Sequence, residues 1–348
     1  MNSALTRFLV LAVPLLIVAQ AALLRLPPDK ETLEAPDRAP LVRPGDKLAR
    51  SGDEIMVCGQ LFHVGAPVVL WTDPGGYDAY RTECRFGPIE QSAWEVASLQ
   101  NKELKTPARY NLRREGLTPE QIERVRGGGW DLELLQGVVD QFVLHYDQSG
   151  TSRRCFQTLH DRRCLSIHFM IDLDGTIYQT LDLKERAWHA TTSNSRSVGI
   201  EIANIGAFTK EELGDRFNNW YTRDENGWRV KLPEGEVRTP GFVARPLTPD
   251  PVSGEIQGKT LMQYDFTPQQ YESLVRLTAA LCRIFPKLPC DYPRDDSGML
   301  IPHKLPDDQL KSYRGLLGHY HIQTNKVDPG PALDWERIVN GARAMMRE

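Results

Sequence analysis

Two apolar runs constrain the fold of this chain more than any other feature of its sequence. Residues 138–146 (VVDQFVLHY) and 197–204 (SVGIEIAN) are mostly apolar. Runs of this length are typical of strands buried on both faces of a sheet. Each run also carries a side chain suited to chemistry: His145 lies at the end of the first and Glu201 in the middle of the second.

Strand and helix patterns alternate around these two runs. An Asp-Gly turn predicts a hairpin, and Thr-Pro pairs predict helix starts. The predicted elements are strands at 165–170 and 176–181, and helices at 152–159, from Thr118, from Pro268 to about Phe285 and from Ala332. The order predicts an α/β fold with a central mixed β-sheet flanked by α-helices, together with a small N-terminal extension.

The composition divides the chain into four regions. They are a signal peptide or N-terminal anchor at 1–21, a linker at 22–50, an N-terminal extension with β-strands and a helix at 51–130, and the main domain at 131–348 with an insertion at 205–263. Within the insertion, a hairpin is predicted at 220–232. Residues 233–258 are rich in Pro and Gly and are expected to be irregular.

The N-terminus predicts export. Residues 8–24 are apolar apart from Gln20, and Ala19-Gln20-Ala21 has the form of a signal-peptidase site. The run is also near the lower limit for a membrane span, so a retained anchor remains an alternative. Both alternatives place the rest of the chain outside the cytoplasm, in the periplasm, secreted or anchored.

Six cysteines in an exported chain favour disulfides. The pairing of chain neighbours would be 58–84, 155–164 and 282–290, although other pairings are open. The charge balance is close to even, with 42 Lys and Arg against 46 Asp and Glu. This balance gives no reason to expect nucleic acid as a partner.

A loop near the C-terminus carries metal-ligand side chains. Residues 318–331 include His319, Lys326 and Asp328, just before the final predicted helix. An imidazole and a carboxylate both suit Zn²⁺, and a catalytic zinc has three protein ligands and one open position. A third ligand and a base must therefore come from elsewhere. His321 lies two residues from His319 and could take its place, so the loop by itself leaves the choice between them open.

Glu201 is a candidate for the base. A lone carboxylate in an apolar strand is costly to bury, and catalysis explains both its charge and its position better than a structural ion pair. His145 lies at a strand end, where sheets of this kind place their sites. The sequence alone leaves the roles of both residues open.

Six motifs between residues 138 and 339 resemble those of the type 2 N-acetylmuramoyl-L-alanine amidases, the zinc family that includes peptidoglycan recognition proteins. The similar segments are 142–145 (FVLH), 165–169 (LSIHF) with 174–179 (DGTIYQ), 187–190 (AWHA), 197–201 (SVGIE), 318–319 (GH) and 326–331 (KVDPGP). They occur in the family's order, which makes them more specific together than any one of them.

The resemblance implies a role for each matching residue. His145, His319 and Asp328 would bind one Zn²⁺, and Glu201 would be the general acid/base. Lys326 would lie beside the metal and stabilise the oxyanion. His189 would contact the substrate or support the site without binding zinc.

The function implied is zinc-dependent hydrolysis of the amide between N-acetylmuramic acid and L-Ala, in peptidoglycan or muropeptides. The alternative is a non-catalytic module of the same fold that binds these molecules. The insertion at 205–263 is expected to form a wall or lid over the peptide groove. Of the other histidines, His168 is expected to be structural or to support the site, and His160 and His303 are expected on the surface.

Overall fold

The two apolar runs form adjacent interior strands of a six-stranded sheet in the computed structural model, which describes residues 43–347. The predicted signal peptide at 1–21 and most of the linker at 22–50 lie outside the described residues. From residue 50 onward the chain forms one compact unit.

The strands of this unit are short. They are β1 (Glu54–Val57), β2 (Gln60–His63), β3 (Val68–Leu70), β4 (Tyr110–Leu112), β5 (Gln141–Tyr146), β6 (Phe169–Ile171), β7 (Ile177–Gln179), β8 (Glu185–Ala187), β9 (Ser197–Ile202), β10 (Tyr221–Asp224), β11 (Gly227–Val230), β12 (Val252–Ile256), β13 (Lys259–Gln263) and β14 (Gly315–Gly318).

The helices cover both faces of the sheet. They are α1 (Trp94–Gln100), α2 (Pro119–Arg126), α3 (Leu132–Val138), α4 (Ser152–Phe156, continued by a π-helix Gln157–Arg162), α5 (Lys210–Leu213), α6 (Arg216–Trp220), α7 (Pro268–Ile284), α8 (Asp307–Ser312) and α9 (Trp335–Met345). Thr118 and Thr267 cap α2 and α7, as the sequence predicts.

The central sheet has the order β14-β5-β9-β6-β7-β3. All neighbouring pairs are parallel except β6 and β7, which form the predicted antiparallel hairpin. The mixed sheet flanked by helices is therefore confirmed. The predicted strand at 138–146 begins later than expected, because Val138 ends α3 and β5 starts at Gln141.

Side chains alternate between the two faces of the sheet. Phe142 and Leu144 of β5 and Ile200 of β9 belong to the main core, which also contains residues of α7 and α9. His145 and Glu201 occupy the alternate positions of the same strands. They therefore lie on the opposite face, away from α7 and α9.

The N-terminal extension supplies strands to the rest of the unit. β3 pairs with β7 at the edge of the central sheet, and β4 pairs with β8. The extension thus contributes to the same sheet as the main domain.

The insertion contains the predicted hairpin at 220–232, formed by β10 and β11. The expectation that residues 233–258 are irregular is wrong at its end, because β12 pairs with β13. Gln257 and Gly258 form the two-residue turn between them, both with positive φ. Gln-Gly is a weaker hairpin signal than Asn-Gly or Asp-Gly, so the sequence did not predict this hairpin.

All six cysteines are free thiols, so the expected disulfides are not formed. Cys58 lies near the backbone of Asp131, whereas Cys84 and Cys164 belong to one small apolar cluster. Cys155 packs in a different cluster from Cys164, whereas the side chains of Cys282 and Cys290 lie within hydrogen-bonding reach of each other. Within the described part of the chain, no helix combines the length and the apolar character that a membrane span needs.

Candidate active site

The sheet topology brings His145 and His319 together. β5 and β14 are parallel neighbours; His145 lies near the carboxyl end of β5, and His319 directly follows β14. Side chains at the carboxyl ends of adjacent parallel strands meet at one edge of the sheet. A short loop after His319 then returns Asp328 to the same edge, where its carbonyl accepts a hydrogen bond from the backbone of Tyr320.

Three ligand-type atoms converge at this edge. The Nδ1 atom of His145 is 3.0 Å from Nδ1 of His319 and 2.8 Å from Oδ2 of Asp328. The Nδ1 atom of His319 is 3.0 Å from the same carboxylate oxygen. All three residues are buried. Two imidazole nitrogens facing each other share at most one proton between them, whereas a cation satisfies both nitrogens and the carboxylate. The donor set fits the ligand set of a catalytic zinc.

The electrostatics favour the ligand forms of these side chains. Burial, followed by the nearby His319, lowers the pKa of His145 to about 4. Burial would raise the pKa of Asp328, but its interactions with His319 and His145 outweigh burial and hold that pKa below the usual range. At neutral pH the site therefore offers a neutral His145 imidazole and an ionised Asp328 carboxylate, the forms that bind metals.

The other ring nitrogen of His145 faces His189. The two nitrogens are 3.1 Å apart, and Nε2 of His189 is 3.2 Å from the hydroxyl of Ser197. Burial lowers the pKa of His189 well below its ordinary value, which leaves this ring neutral. A chain of donors from His145 to His189 to Ser197 then leaves Nδ1 of His145 free for a ligand. The close approach requires Gly199, since a Cβ there would clash with the His189 ring.

His319 is oriented by Gln323. Its Nε2 atom is 2.6 Å from Oε1 of Gln323, which accepts the proton of the ring and directs Nδ1 toward the site. Sequence reasoning missed Gln323. The only signal for it is its position four residues after His319 on the same loop.

Glu201 lies beside this group. It is half-buried, and its Oε2 atom is inaccessible to solvent and has no hydrogen-bond partner among the described residues. Burial, with the carboxylates of Asp328 and Asp147, raises the pKa of Glu201 well above its ordinary value, while Lys326 opposes this effect. A carboxyl group whose pKa is raised holds a proton more readily than an ordinary glutamate, which suits a group that must accept a proton and return it.

A cleft of about 690 Å³ opens over the site. Its lining includes the six residues to which the family motifs assign a role, namely His145, His189, Glu201, His319, Lys326 and Asp328. It also includes Tyr146, Asp147, Arg163, Trp188, Asn194 and Asn325. No residue of the insertion at 205–263 lines this cleft within the described part of the chain. The expectation of a wall or lid is therefore wrong for this cleft. The insertion instead lines an adjoining groove, which shares Gln148, Asn325 and Val327 with the cleft.

The remaining histidines do not join the three converging atoms. His321 is buried; it accepts a hydrogen bond from the backbone of Gly318 and donates one to Ile301. His168 accepts from the backbone of Gly199 and contacts Arg113, so it lies behind the site. His303 is exposed as predicted. The surface position expected for His160 is wrong, because its ring stacks on Phe156 inside the fold.

Arg113 is a second residue that the sequence did not reveal. It follows β4 in the N-terminal extension and is fully buried. Its guanidinium donates to the carbonyls of Leu183, Asn194, Ser195 and Ser197. These bonds fix the segment that runs from His189 into β9. Burial lowers the pKa of Arg113 to about 9, so it is still cationic at neutral pH.

Comparisons with known proteins find one family, one curated relative and solved structures that resemble this chain. A family model described as N-acetylmuramoyl-L-alanine amidase matches residues 135–331. The chain is 24% identical over 228 residues to the 1,6-anhydro-N-acetylmuramyl-L-alanine amidase AmpD of Haemophilus influenzae, a match that covers 65% of this chain and 78% of that protein.

Two solved structures are also similar. A Se-Met derivative of AmpD is 17% identical with a TM-score of 0.30, covering 67% of this chain and 93% of that chain. The N-acetylmuramyl-L-alanine amidase AmiD from E. coli, in complex with the substrate anhydro-N-acetylmuramic acid-L-Ala-D-gamma-Glu-L-Lys, is 17% identical with a TM-score of 0.34. That match covers 58% of this chain and 57% of AmiD.

The fold and the site define a mixed-sheet protein with a candidate metal centre at the carboxyl ends of its parallel strands. The family model covers more than half of the chain, so the chain belongs to the N-acetylmuramoyl-L-alanine amidase family. The resemblance expected from the sequence motifs is thereby confirmed.

Proposed function

We propose that this protein is a zinc-dependent N-acetylmuramoyl-L-alanine amidase, which hydrolyses the amide between N-acetylmuramic acid and L-Ala in peptidoglycan or muropeptides. The observation that carries the proposal is the buried convergence of His145, His319 and Asp328 beside Glu201, in a cleft of about 690 Å³. Membership of the amidase family supports the reaction class. The AmpD relative, whose name describes an anhydro-muropeptide amidase, supports the substrate class.

Zn²⁺ held by the three residues would supply Lewis-acid chemistry, which polarises a carbonyl and acidifies a water molecule. Glu201 would take the proton of the attacking water and hand it to the departing amine of L-Ala. An amine leaves an amide poorly unless it is protonated, so this second transfer is as important as the first.

Lys326 and His189 would complete the chemistry. The Lys326 side chain lines the cleft close enough to Glu201 to oppose the rise in its pKa. Its ammonium would stabilise the negative charge that develops on the carbonyl oxygen. His189 would keep the His145 ring in the tautomer that leaves Nδ1 free, and its partly exposed edge would contact the substrate.

We also propose an extracytoplasmic location. The support is the apolar segment at 8–24 and the small-x-small site ending at Ala21. Residues 1–50 fused to a reporter enzyme that is active only after export should give activity. N-terminal sequencing of the mature protein would then separate cleavage after Ala21 from a retained anchor.

The function is tested by incubating the purified protein with peptidoglycan and with soluble muropeptides, measuring new N-terminal L-Ala on the released stem peptides. Release that a chelator abolishes and zinc restores would support both the reaction and the metal. Stoichiometric zinc binding without release from either substrate would contradict the proposal and favour the non-catalytic binding module. Release that persists in chelator would contradict the metal assignment alone.

A further inference from the structure

The hairpin of β12 and β13, at the end of the insertion, touches the loop that carries two of the candidate ligands. Its turn consists of Gln257 and Gly258, with φ of 53° and 72°. Positive φ at both positions is typical of a type I′ turn, which favours Asn, Asp or Gly at the first position. A glutamine there is conformationally disfavoured, so some other contact must account for its presence.

The side chain of Gln257 makes that contact. Its Nε2 atom lies 2.9 Å from the carbonyl of Tyr320, 2.9 Å from that of Gln323 and 3.4 Å from that of Lys326. Its Oε1 atom accepts a hydrogen bond from the backbone of Lys304, and its own backbone N–H donates to Pro302. One amide group therefore joins three points of the loop between His319 and Asp328.

Each of these three residues is next to a side chain of the proposed site, bonds to one or provides one. Tyr320 follows His319 in the chain. Gln323 accepts the ring proton of His319 through its own side chain. Lys326 is the proposed oxyanion cation and lies two residues before Asp328. Holding these carbonyls together therefore fixes the orientation of His319 and the position of Lys326.

A second glutamine supports the far end of the same loop. Gln263, at the end of β13, is fully buried. Its Nε2 atom is 3.1 Å from the carbonyl of Pro329, and its Oε1 atom accepts from the backbone of Ala332 at 3.0 Å. The hairpin thus contacts the loop both before and after Asp328.

We propose that Gln257 is a positioning residue for the metal centre, and that this hairpin of the insertion braces the ligand loop. The proposal rests on the proposed function, because it assigns Gln257 a task at that site. It gives the end of the insertion a role different from the expected lid. The loop would be held in its metal-binding arrangement even before the metal arrives.

Two substitutions separate positioning from general stability. Gln257→Glu keeps the shape of the side chain but replaces the donating amide nitrogen with an oxygen. That oxygen would face three carbonyl oxygens without a proton to share. Gln257→Asn suits the type I′ turn better, yet its amide is one methylene too short to reach the loop. The matched control is Gln309→Glu, the same chemical change at an exposed position of α8.

The measurements are zinc affinity by competition with a chromophoric chelator, kcat and KM at saturating zinc, the melting temperature, and amide hydrogen exchange of residues 319–328 in the metal-free protein. Outer residues that orient metal ligands typically contribute 10- to 100-fold in affinity or activity. We expect Gln257→Glu and Gln257→Asn each to weaken zinc binding by about tenfold or more. Both should lower kcat with little change in KM and speed exchange in the loop, while the control stays at wild-type values.

If Gln257→Asn keeps the zinc affinity, the kcat and the loop exchange of the wild type, the proposal is wrong, whatever happens to the melting temperature. If Gln257→Glu does not fold, Gln257→Asn decides alone. A wild-type protein that binds zinc but cleaves no muropeptide would refute the proposed function, and zinc affinity and exchange would still test Gln257. If the wild type binds no zinc, unchanged loop exchange in Gln257→Asn would be enough to refute the brace.

Discussion

His145 and Glu201 are register partners on the adjacent parallel strands β5 and β9. Both side chains leave the face of the sheet that is turned away from α7 and α9, because their neighbours Leu144 and Ile200 pack under those helices. The candidate base therefore lies directly beside a candidate ligand. Two rigid strands, rather than a loop, set this spacing.

Glu201→Gln should abolish most of the activity and leave the metal in place. The amide cannot accept the proton of water, and loss of a general acid/base typically costs about 10²- to 10⁴-fold in rate. The measurement is kcat on a soluble muropeptide together with zinc content of the same sample. Glu103→Gln, at an exposed position of the extension, is the matched control. Full activity of Glu201→Gln would remove the proposed role.

His319→Ala and His321→Ala should impair different properties, the first zinc binding and the second stability. His319→Ala removes a proposed zinc ligand, so zinc affinity should fall by more than the roughly 10- to 100-fold typical of an outer residue. His321→Ala leaves the Gly318 N–H and the Ile301 carbonyl unpaired, which should lower the free energy of unfolding by about 1–3 kcal/mol. It should still bind zinc. Zinc stoichiometry and urea unfolding measure the two effects, and the reverse pattern would exchange the two assignments.

Arg113→Lys should destabilise the fold although the charge is kept. An ammonium cannot reproduce the planar fork that reaches four backbone carbonyls. At least one buried carbonyl loses its donor, so the free energy of unfolding should fall by about 1–3 kcal/mol. The control is Arg114→Lys, an exposed neighbour whose substitution should change stability by less than about 0.5 kcal/mol. Equal stability of the two variants in denaturant unfolding would contradict the account given for Arg113.

Asp172→Asn should change the pH dependence of stability. Burial, which outweighs hydrogen bonds from Leu173 and Ser152, raises the pKa of Asp172 well above its ordinary value. A raised acid pKa in the folded state means that the wild type loses stability as pH rises above about 4 and through the folded pKa. The asparagine does not titrate and escapes this loss.

The difference in stability between Asp172→Asn and wild type should therefore move in favour of the variant as pH rises from 5 to 9. Denaturant unfolding across that range, in one fixed metal state, is the measurement. Asp296→Asn, at an exposed position, should show no such trend. A difference that is flat or falls with pH would mean that Asp172 is not held protonated by burial.

The sequence predicted the elements whose signals are local. Thr118 and Thr267 cap helices where side-chain oxygens precede Pro, and Asp174-Gly175 turns the β6–β7 hairpin. The apolar runs predicted β5 and β9 because strands buried on both faces have few polar residues. The converging group of His145, His319 and Asp328 was also anticipated, because the family motifs preserve residue types at spaced positions.

The sequence by itself therefore determined the order of the elements, the family and the residue types of the site. Only the tertiary structure decided which other residues hold the site residues in place. Arg113, Gln257 and Gln323 act through backbone carbonyls or ring nitrogens that are distant or unmarked in sequence. A hydrogen bond to a carbonyl leaves no residue-specific signature on its acceptor, so these contacts become visible only once the chain has folded.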